Sequence, residues 1–385
     1  MQSNPCFSHA MWLVENELAP YFDVDVIPTD QLDRINWWKS TAAGFGYYGM
    51  KGDNYLLARH NATKALYQFE YFGPDYRFVP YRAFARTQLA LKANPKIRHV
   101  WGIPFHSLLL EGCSAQPIIE NFLLHHTPIY FGRDMLRTLP VDIIKMVDDR
   151  SGLVYCLDWY AFDATVPRGL LDWCFTIIEK YLRIRTIGDW YAFHYAKKNF
   201  LDKYVAMPNG KLFLVRAGVP SGSFYTQLID SIVNLVYNYA IQLHLFGVTY
   251  PTYVLGDDSI WACDSDKPLL PVIADWMSGF GITLNIEKSI CTRTWSELIF
   301  LGHNFYGSSV IRDEFTLLSM AMYTEDYVTD PVMSATRICS LLYDSGFNSN
   351  AMYNLLKKII TDYDLNEESV GAQGIRPVTV TPPFS

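Results

Sequence analysis

The chain has 385 residues, 50% apolar and 18% charged, enough to bury a sizeable core across two or three subdomains and too apolar for a disordered protein. Its formal net charge of −7 excludes a protein that coats nucleic acid by bulk electrostatics, so any such contact must come from basic residues gathered locally. Seven scattered cysteines with no Cys-x-x-Cys pair argue against a zinc site or a disulfide framework, and for a reducing, intracellular setting.

In chain order, residues 1–80 mix short helical patterns with aromatic loops such as Asn36-Trp37-Trp38, and show no secretory leader. Arg82, Arg86, Lys92, Lys96 and Arg98 form the densest basic run. Residues 104–126 read as a buried helix entered after Pro104. A short buried strand, 153–157, ends at Asp158, and a helix follows from about Pro167, a residue suited to the first turn. Residues 204–217 read as strands around the turn Pro208-Asn209-Gly210. Small residues Gly218 to Gly222 then open a long helix to Phe246. Thr252–Leu255 and Ser259–Ala262 flank Gly256-Asp257-Asp258 as a hairpin, followed by a helix near 268–279 and a strand-rich stretch over 281–305. The remainder is helical to about 363 and ends in a Pro/Thr-rich tail, 377–385. No run of about 18 apolar residues suggests a membrane span. Strands and helices interleave without a regular βαβ period, so the fold class is α+β.

Five places carry chemistry. The hairpin turn lifts two adjacent carboxylates, Asp257 and Asp258, out of buried strands, and a divalent cation would relieve their repulsion. Alone this is ordinary turn chemistry. The second place is Asp158 with Asp163 five residues on; a strand-end Asp also serves as a plain cap. If its strand neighbours the hairpin, Asp158 and Asp257 converge as two-metal phosphoryl chemistry requires. The third is Ser221-Gly222 leading into a helix whose Thr226, Asp230 and Asn234 share one face, widened by Gln227, Ser231 and Asn238. Such a stripe is usually a solvated face, but hydrogen-bonding groups with a single charge also suit a sugar. The fourth is the basic run, notably Lys96 and Arg98, which could neutralise a triphosphate or simply decorate a loop. The fifth is Glu287-Lys288 followed by Phe300-Leu301-Gly302-His303, where Lys288 could protonate a leaving pyrophosphate or be a solvated helix-end lysine.

In this order the five places resemble the motif series of viral RNA-dependent RNA polymerases over Arg82 to Phe305, most closely those of partitiviruses, double-stranded RNA viruses with picobirnaviruses nearby. The resemblance implies a right-hand fold. It implies fingers over 1–102 with a basic fingertip run at 82–98, palm over 103–185, a fingers insertion over 186–215, palm again over 216–306, and a small thumb with the tail over 307–385. It implies that Asp158, Asp257 and Asp258 bind two magnesium ions, with manganese as a substitute, and that Lys288 is the general acid. Lys96, Arg98, Asp163, Ser221, Gly222, Thr226, Asp230 and Asn234 are implied in nucleotide binding, and Arg86, Phe300, Leu301, Gly302 and His303 in RNA binding. Many positive-strand relatives carry Asn four residues after the Thr; here Asp230 stands there and Asn234 one turn later, so which completes ribose selection stays open.

The implied activity is template-directed RNA synthesis for transcription and replication of a viral RNA genome. The implied partners are RNA template and product, ribonucleoside triphosphates and the viral capsid protein, with no membrane, in the virion interior and host cytoplasm. Reverse transcription is the nearest rival, but Asp163 stands where that class carries a ribose-excluding aromatic, and an acceptor there welcomes a 2′-hydroxyl. A catalytically silent RNA-binding or capsid-associated protein would not need the intact acids, and a two-metal nuclease or phosphatase would not need the Ser-Gly-x3-Thr helix.

Overall fold

The computed structural model describes residues 1, 3–87, 89–90, 97–307, 309–324 and 328–365. Lys92, Lys96 and the Pro377–Ser385 tail lie outside them. Two helices occupy the first part: α1 (Pro5–Phe22), capped by the Asn4 side chain on the amides of Cys6 and Phe7, and α2 (Lys51–Phe72). Each is far longer than the short helical patterns expected over 1–80. The buried stripe of α2 is mostly Ala58, Ala62 and Ala65, and alanines give little hydrophobic contrast, so its periodicity is faint in the sequence.

Strands β1 (Tyr81–Thr87) and β2 (Ile97–Gly102) form an antiparallel hairpin. Helices α3 (Phe105–Leu124) and α4 (Thr138–Asp148) follow, then β3 (Val154–Leu157), the short α5 (Phe162–Thr165), α6 (Arg168–Tyr181) and α7 (Ile187–Leu201). A second hairpin, β4 (Lys203–Ala206) with β5 (Leu212–Val215), joins the first because β4 lies parallel to β1, giving the sheet order β2-β1-β4-β5. Two segments about a hundred residues apart therefore share one sheet.

Helix α8 (Thr226–Phe246) precedes β6 (Thr252–Leu255) and β7 (Asp258–Ala262). After α9 (Leu270–Ser278) comes β8 (Ile290–Thr292), which completes an antiparallel sheet of order β6-β7-β3-β8. A small sheet of β9 (Ile299–Phe300), β10 (His303–Tyr306) and β11 (Ser309–Ile311) leads to α10 (Glu314–Met322), α11 (Pro331–Asp344) and α12 (Asn350–Asp362).

Every residue of α8 from Leu228 to Gln242 is buried. The helix packs against α1, α6 and β6, at the centre of the largest core cluster. A second cluster lies where α4 meets β3, β7 and β10, and a third, separate one holds Leu317, Ile338, Leu342 and Met352 among the last three helices. Among the described residues, no helix is long and apolar enough to cross a membrane.

Candidate active site

β3 runs antiparallel to β7 with Leu157 opposite Ser259. Continuing that register by one residue sets Asp158 across from Asp258 and beside Asp257. The two strands are thus neighbours, as convergence of Asp158 and Asp257 requires. The turn between β6 and β7 depends on Gly256, whose φ is +62° and whose missing Cβ would fall 2.7 Å from Gln227 Nε2. Helix α8 grips this glycine from both sides: its amide donates to Ser231 Oγ at 2.8 Å, and Asn234 Nδ2 donates to its carbonyl at 3.0 Å. Asn234 Nδ2 also donates to the Asp258 carbonyl at 3.0 Å.

The segment after β3 is held as firmly. The Asp158 amide donates to Ser289 Oγ at 3.0 Å, and its carbonyl accepts the Asn285 amide at 2.8 Å. Trp159 Nε1 donates to Asn234 Oδ1 at 3.0 Å, so one buried asparagine ties both acid-bearing segments to α8. Ala161 takes left-handed backbone angles (φ +50°), uncommon for a residue with a Cβ, and turns the chain so that Asp163 falls in the first turn of α5. The turn 285–289 carries Lys288, which is exposed beside this anchored backbone.

The acids act on one another. Asp163 and Asp258 face solvent on one side, yet the protein packed behind their carboxyls is the largest influence on each. Burial, then the charges of Asp257 and Asp158, push Asp258 up to about 7. Burial and Asp257 push Asp163 up to about 6, opposed by the Arg98 guanidinium. Asp230, fully buried in α8, is driven well above the usual carboxylate range by burial and by Asp163 and Asp257, and its Oδ1 has no hydrogen-bond partner. The sequence left Asp230 and Asn234 as equals. Asn234 has its amide committed to Trp159, Asn238, Gly256 and Asp258, whereas Asp230 Oδ1 has no partner and the residue lies close enough to feel the charges of Asp163 and Asp257. The polar stripe of α8 is therefore internal scaffolding around one acid, not a solvated face.

In the loop before α8, Ser221 Oγ accepts the Trp101 amide at 3.3 Å, and Gly222 approaches the Trp101 carbonyl so closely that a Cβ would lie 2.5 Å away. The Thr226 hydroxyl is within hydrogen-bond distance of the carbonyls of Pro220 (2.6 Å) and Ser223 (2.9 Å). Two buried charged residues that the sequence reading did not single out, Glu111 and Lys203, also bond this loop. A Glu directly after the Leu108–Leu110 run of α3 was the available signal for the first; Lys203 had none.

On the basic hairpin, Arg86 pairs in register with Arg98, both exposed. Like charges opposite one another are unfavourable without an anion. Lys96 lies outside the described residues. At the β9–β10 turn, Leu301 and Gly302 have φ of +54° and +72°, while the side chains of Phe300 and His303 are buried. His303 bonds Leu301 O and Asp344 instead of facing outward, so only the Leu301-Gly302 tip is presented.

Among the described residues, no group of three or more side-chain ligands would cage an ion unaided. Magnesium is commonly held by one or two carboxylates together with substrate phosphates. Mutually repelling acids on an open face fit a cation that arrives with its nucleotide.

The chain matches the family model described as viral RNA-dependent RNA polymerase over residues 8–360. It is 24% identical to the RNA-directed RNA polymerase of Atkinsonella hypoxylon virus (isolate 2H) over 343 residues, 75% of this chain and 51% of that protein. It is 26% identical to that of White clover cryptic virus 1 over 334 residues, 74% and 52% respectively. The chain thus spans about half the length of these curated relatives. Its fold matches the crystal structure of the RNA-dependent RNA polymerase of a human picobirnavirus with a TM-score of 0.73 at 17% identity, covering 96% of this chain and 71% of that one. The expected right-hand, α+β fold is the one observed.

Proposed function

The chain belongs to the viral RNA-dependent RNA polymerases, and from that premise we propose that it extends RNA on an RNA template by nucleotidyl transfer, serving transcription and replication of a viral RNA genome. The observation that carries this reading is the β3–β7 pairing, which sets Asp158 beside Asp257 and Asp258 under a buried helix. Asp158 and Asp257 would hold two magnesium ions, with Asp258 as the supporting acid and manganese as a substitute. When bound, the ions supply activation of the 3′-hydroxyl and neutralisation of the leaving pyrophosphate.

The chain's own groups do the rest. Arg98, with Lys96 nearby in sequence, binds the triphosphate and lies close enough to influence Asp163, while Arg86 opposite it contacts RNA. Asp163 accepts the ribose 2′-hydroxyl, and Asp230, with its unpartnered oxygen, completes the sugar site. Ser221, Gly222 and Thr226 hold template and sugar from the loop. Lys288 donates a proton to the leaving group, a role supported by its exposed place in the turn bonded to Asp158. The Leu301-Gly302 tip supports the product end, with Phe300 and His303 shaping that tip from within.

The shared β2-β1-β4-β5 sheet supports grouping 186–215 with 1–102 as fingers, around palm segments 103–185 and 216–306. The separate core of the last helices supports a small thumb over 307–385. A capsid protein as partner, and the virion interior and host cytoplasm as location, follow from the family alone. The test is extension of a primed RNA by purified protein with magnesium and four ribonucleotides. Extension that persists in Asp257→Asn would remove the metal assignment, and extension with deoxyribonucleotides alone would favour reverse transcription.

A further inference from the structure

We infer that Glu111 and Lys203 are positioning residues that clamp the two ends of the Gly218–Tyr225 loop from separate elements, and so fix Ser221 and Gly222 for nucleotide addition. The inference rests on the polymerase reading above for its consequence, though not for its geometry. Glu111, on α3, is fully buried. Its Oε2 accepts the Ser223 hydroxyl at 2.7 Å and the Phe224 amide at 2.9 Å, at the loop's far end. Lys203, the first residue of β4, is also fully buried. Its Nζ donates to the Gly218 carbonyl at 2.7 Å and the Phe200 carbonyl at 2.8 Å, at the loop's near end.

Among the described residues, neither side chain forms an ion pair, and Glu111 Oε1 has no hydrogen-bond partner. Asp202 and Arg168 act on Lys203 from nearby with opposite signs, but burying ionisable groups without a direct ion pair is unfavourable, and a neutral packed core would be the more stable choice. Here all four bonds except that to Phe200 go to the loop. The span between the clamps is bonded to the site itself: the Val219 amide donates to the Asp163 carbonyl at 2.7 Å, and Ser221 accepts the Trp101 amide. A shift at either end would therefore move Ser221 relative to both Asp163 and the basic hairpin. Supporting groups of this kind set a site's geometry without touching substrate. Burial pushes Glu111 up to about 8, so its bonds to the loop do not depend on a carboxylate, and a glutamine oxygen can accept both.

The test combines steady-state primer extension with amide hydrogen exchange on the full chain. Glu111→Met should raise KM for ribonucleotide by about tenfold, with kcat changed less than about threefold. It should also speed exchange over 218–225 while the interior of α8 stays protected. Glu111→Gln should restore both readouts. Ser223→Ala, which removes the other end of the bond and also the acceptor of the Tyr225 amide, should shift both in the same direction, and its effect should be smaller in the Glu111→Met background than alone. Lys203→Met should loosen the Gly218 end first. Unchanged exchange and KM in Ser223→Ala would overturn the inference, as would loosening spread evenly through α8, the sign of a plain core role. Should Glu111→Met fail to fold, Ser223→Ala and Glu111→Gln decide alone. A wild-type chain that extends no primer would sink the polymerase reading, while loop exchange would still report on the clamp.

Discussion

Two hairpins carry the charge of the candidate site, with Arg98 of one close enough to act on Asp163, and they are built on opposite plans. In β6–β7 the strands are largely buried, the turn is tight, and α8 bonds Gly256 on both its amide and its carbonyl. In β1–β2 the residues that carry charge, Arg82, Arg86 and Arg98, are all exposed, and two of them stand directly opposite. Negative charge is thus fixed by the core, where repulsion between acids is sustained by surrounding bonds. Positive charge near the acids is carried on an exposed ribbon, which offers a polyanion a local contact on a chain of net charge −7. The acidic hairpin should behave as an all-or-none element and the basic one as a graded one.

The largest effect should come from the acidic side. Asp257→Asn should lower primer extension on the order of a thousandfold or more with little change in fold, because a group acting only in the reacting complex is lost. Circular dichroism and single-turnover rates check both halves. Asn234→Ala comes next: it leaves the Trp159 indole N–H and the Gly256 and Asp258 carbonyls without a buried partner. Stability should fall by about 3 kcal/mol by urea titration, the scale of a few orphaned buried polar groups, and extension should fall with it. Arg98→Ala on the basic side should raise KM for the triphosphate by about tenfold and leave kcat and stability nearly unchanged. An all-or-none loss in Arg98→Ala would erase the distinction between the two hairpins.

The smallest effect concerns pH. The folded chain holds protons on Asp163 and Asp258 more tightly than the unfolded one, with values raised from 3.8 to about 6 and about 7. Their contribution to stability is fully present below 3.8 and is lost as pH rises through about 6 to 7. Without divalent cation, the melting temperature should therefore drift down over that window, modestly because both residues face solvent. Magnesium should restore it at the upper end, and Asp258→Asn should flatten the drift. A melting temperature rising over the same window without metal would contradict the mutual repulsion of the acids.

Much of the acidic side was legible because its signals are local. Alternating apolar residues around Gly256-Asp257-Asp258 give a hairpin, and the sustained apolar run after Thr226 gives a helix of the observed length. What the sequence hid depends on distant partners. The α8 stripe reads as a surface because Ser231, Asn234 and Asn238 are polar; only the fold shows that the Gly256 amide, the Gly256 and Asp258 carbonyls and the indole nitrogens of Trp159 and Trp261 take up their bonds. The same holds for Glu111, whose partners lie 112 and 113 residues away, and for His303, whose partner Asp344 is 41 residues on. The α2 helix was blurred for a different reason, its small alanine stripe.

The most direct measurement is anomalous diffraction from crystals grown with manganese, a primed RNA template and a non-hydrolysable ribonucleotide. Two manganese peaks should appear beside the carboxylates of Asp158 and Asp257, with Asp258 nearby. Manganese bound elsewhere, or these two side chains held too far apart to share an ion with nucleotide present, would contradict it.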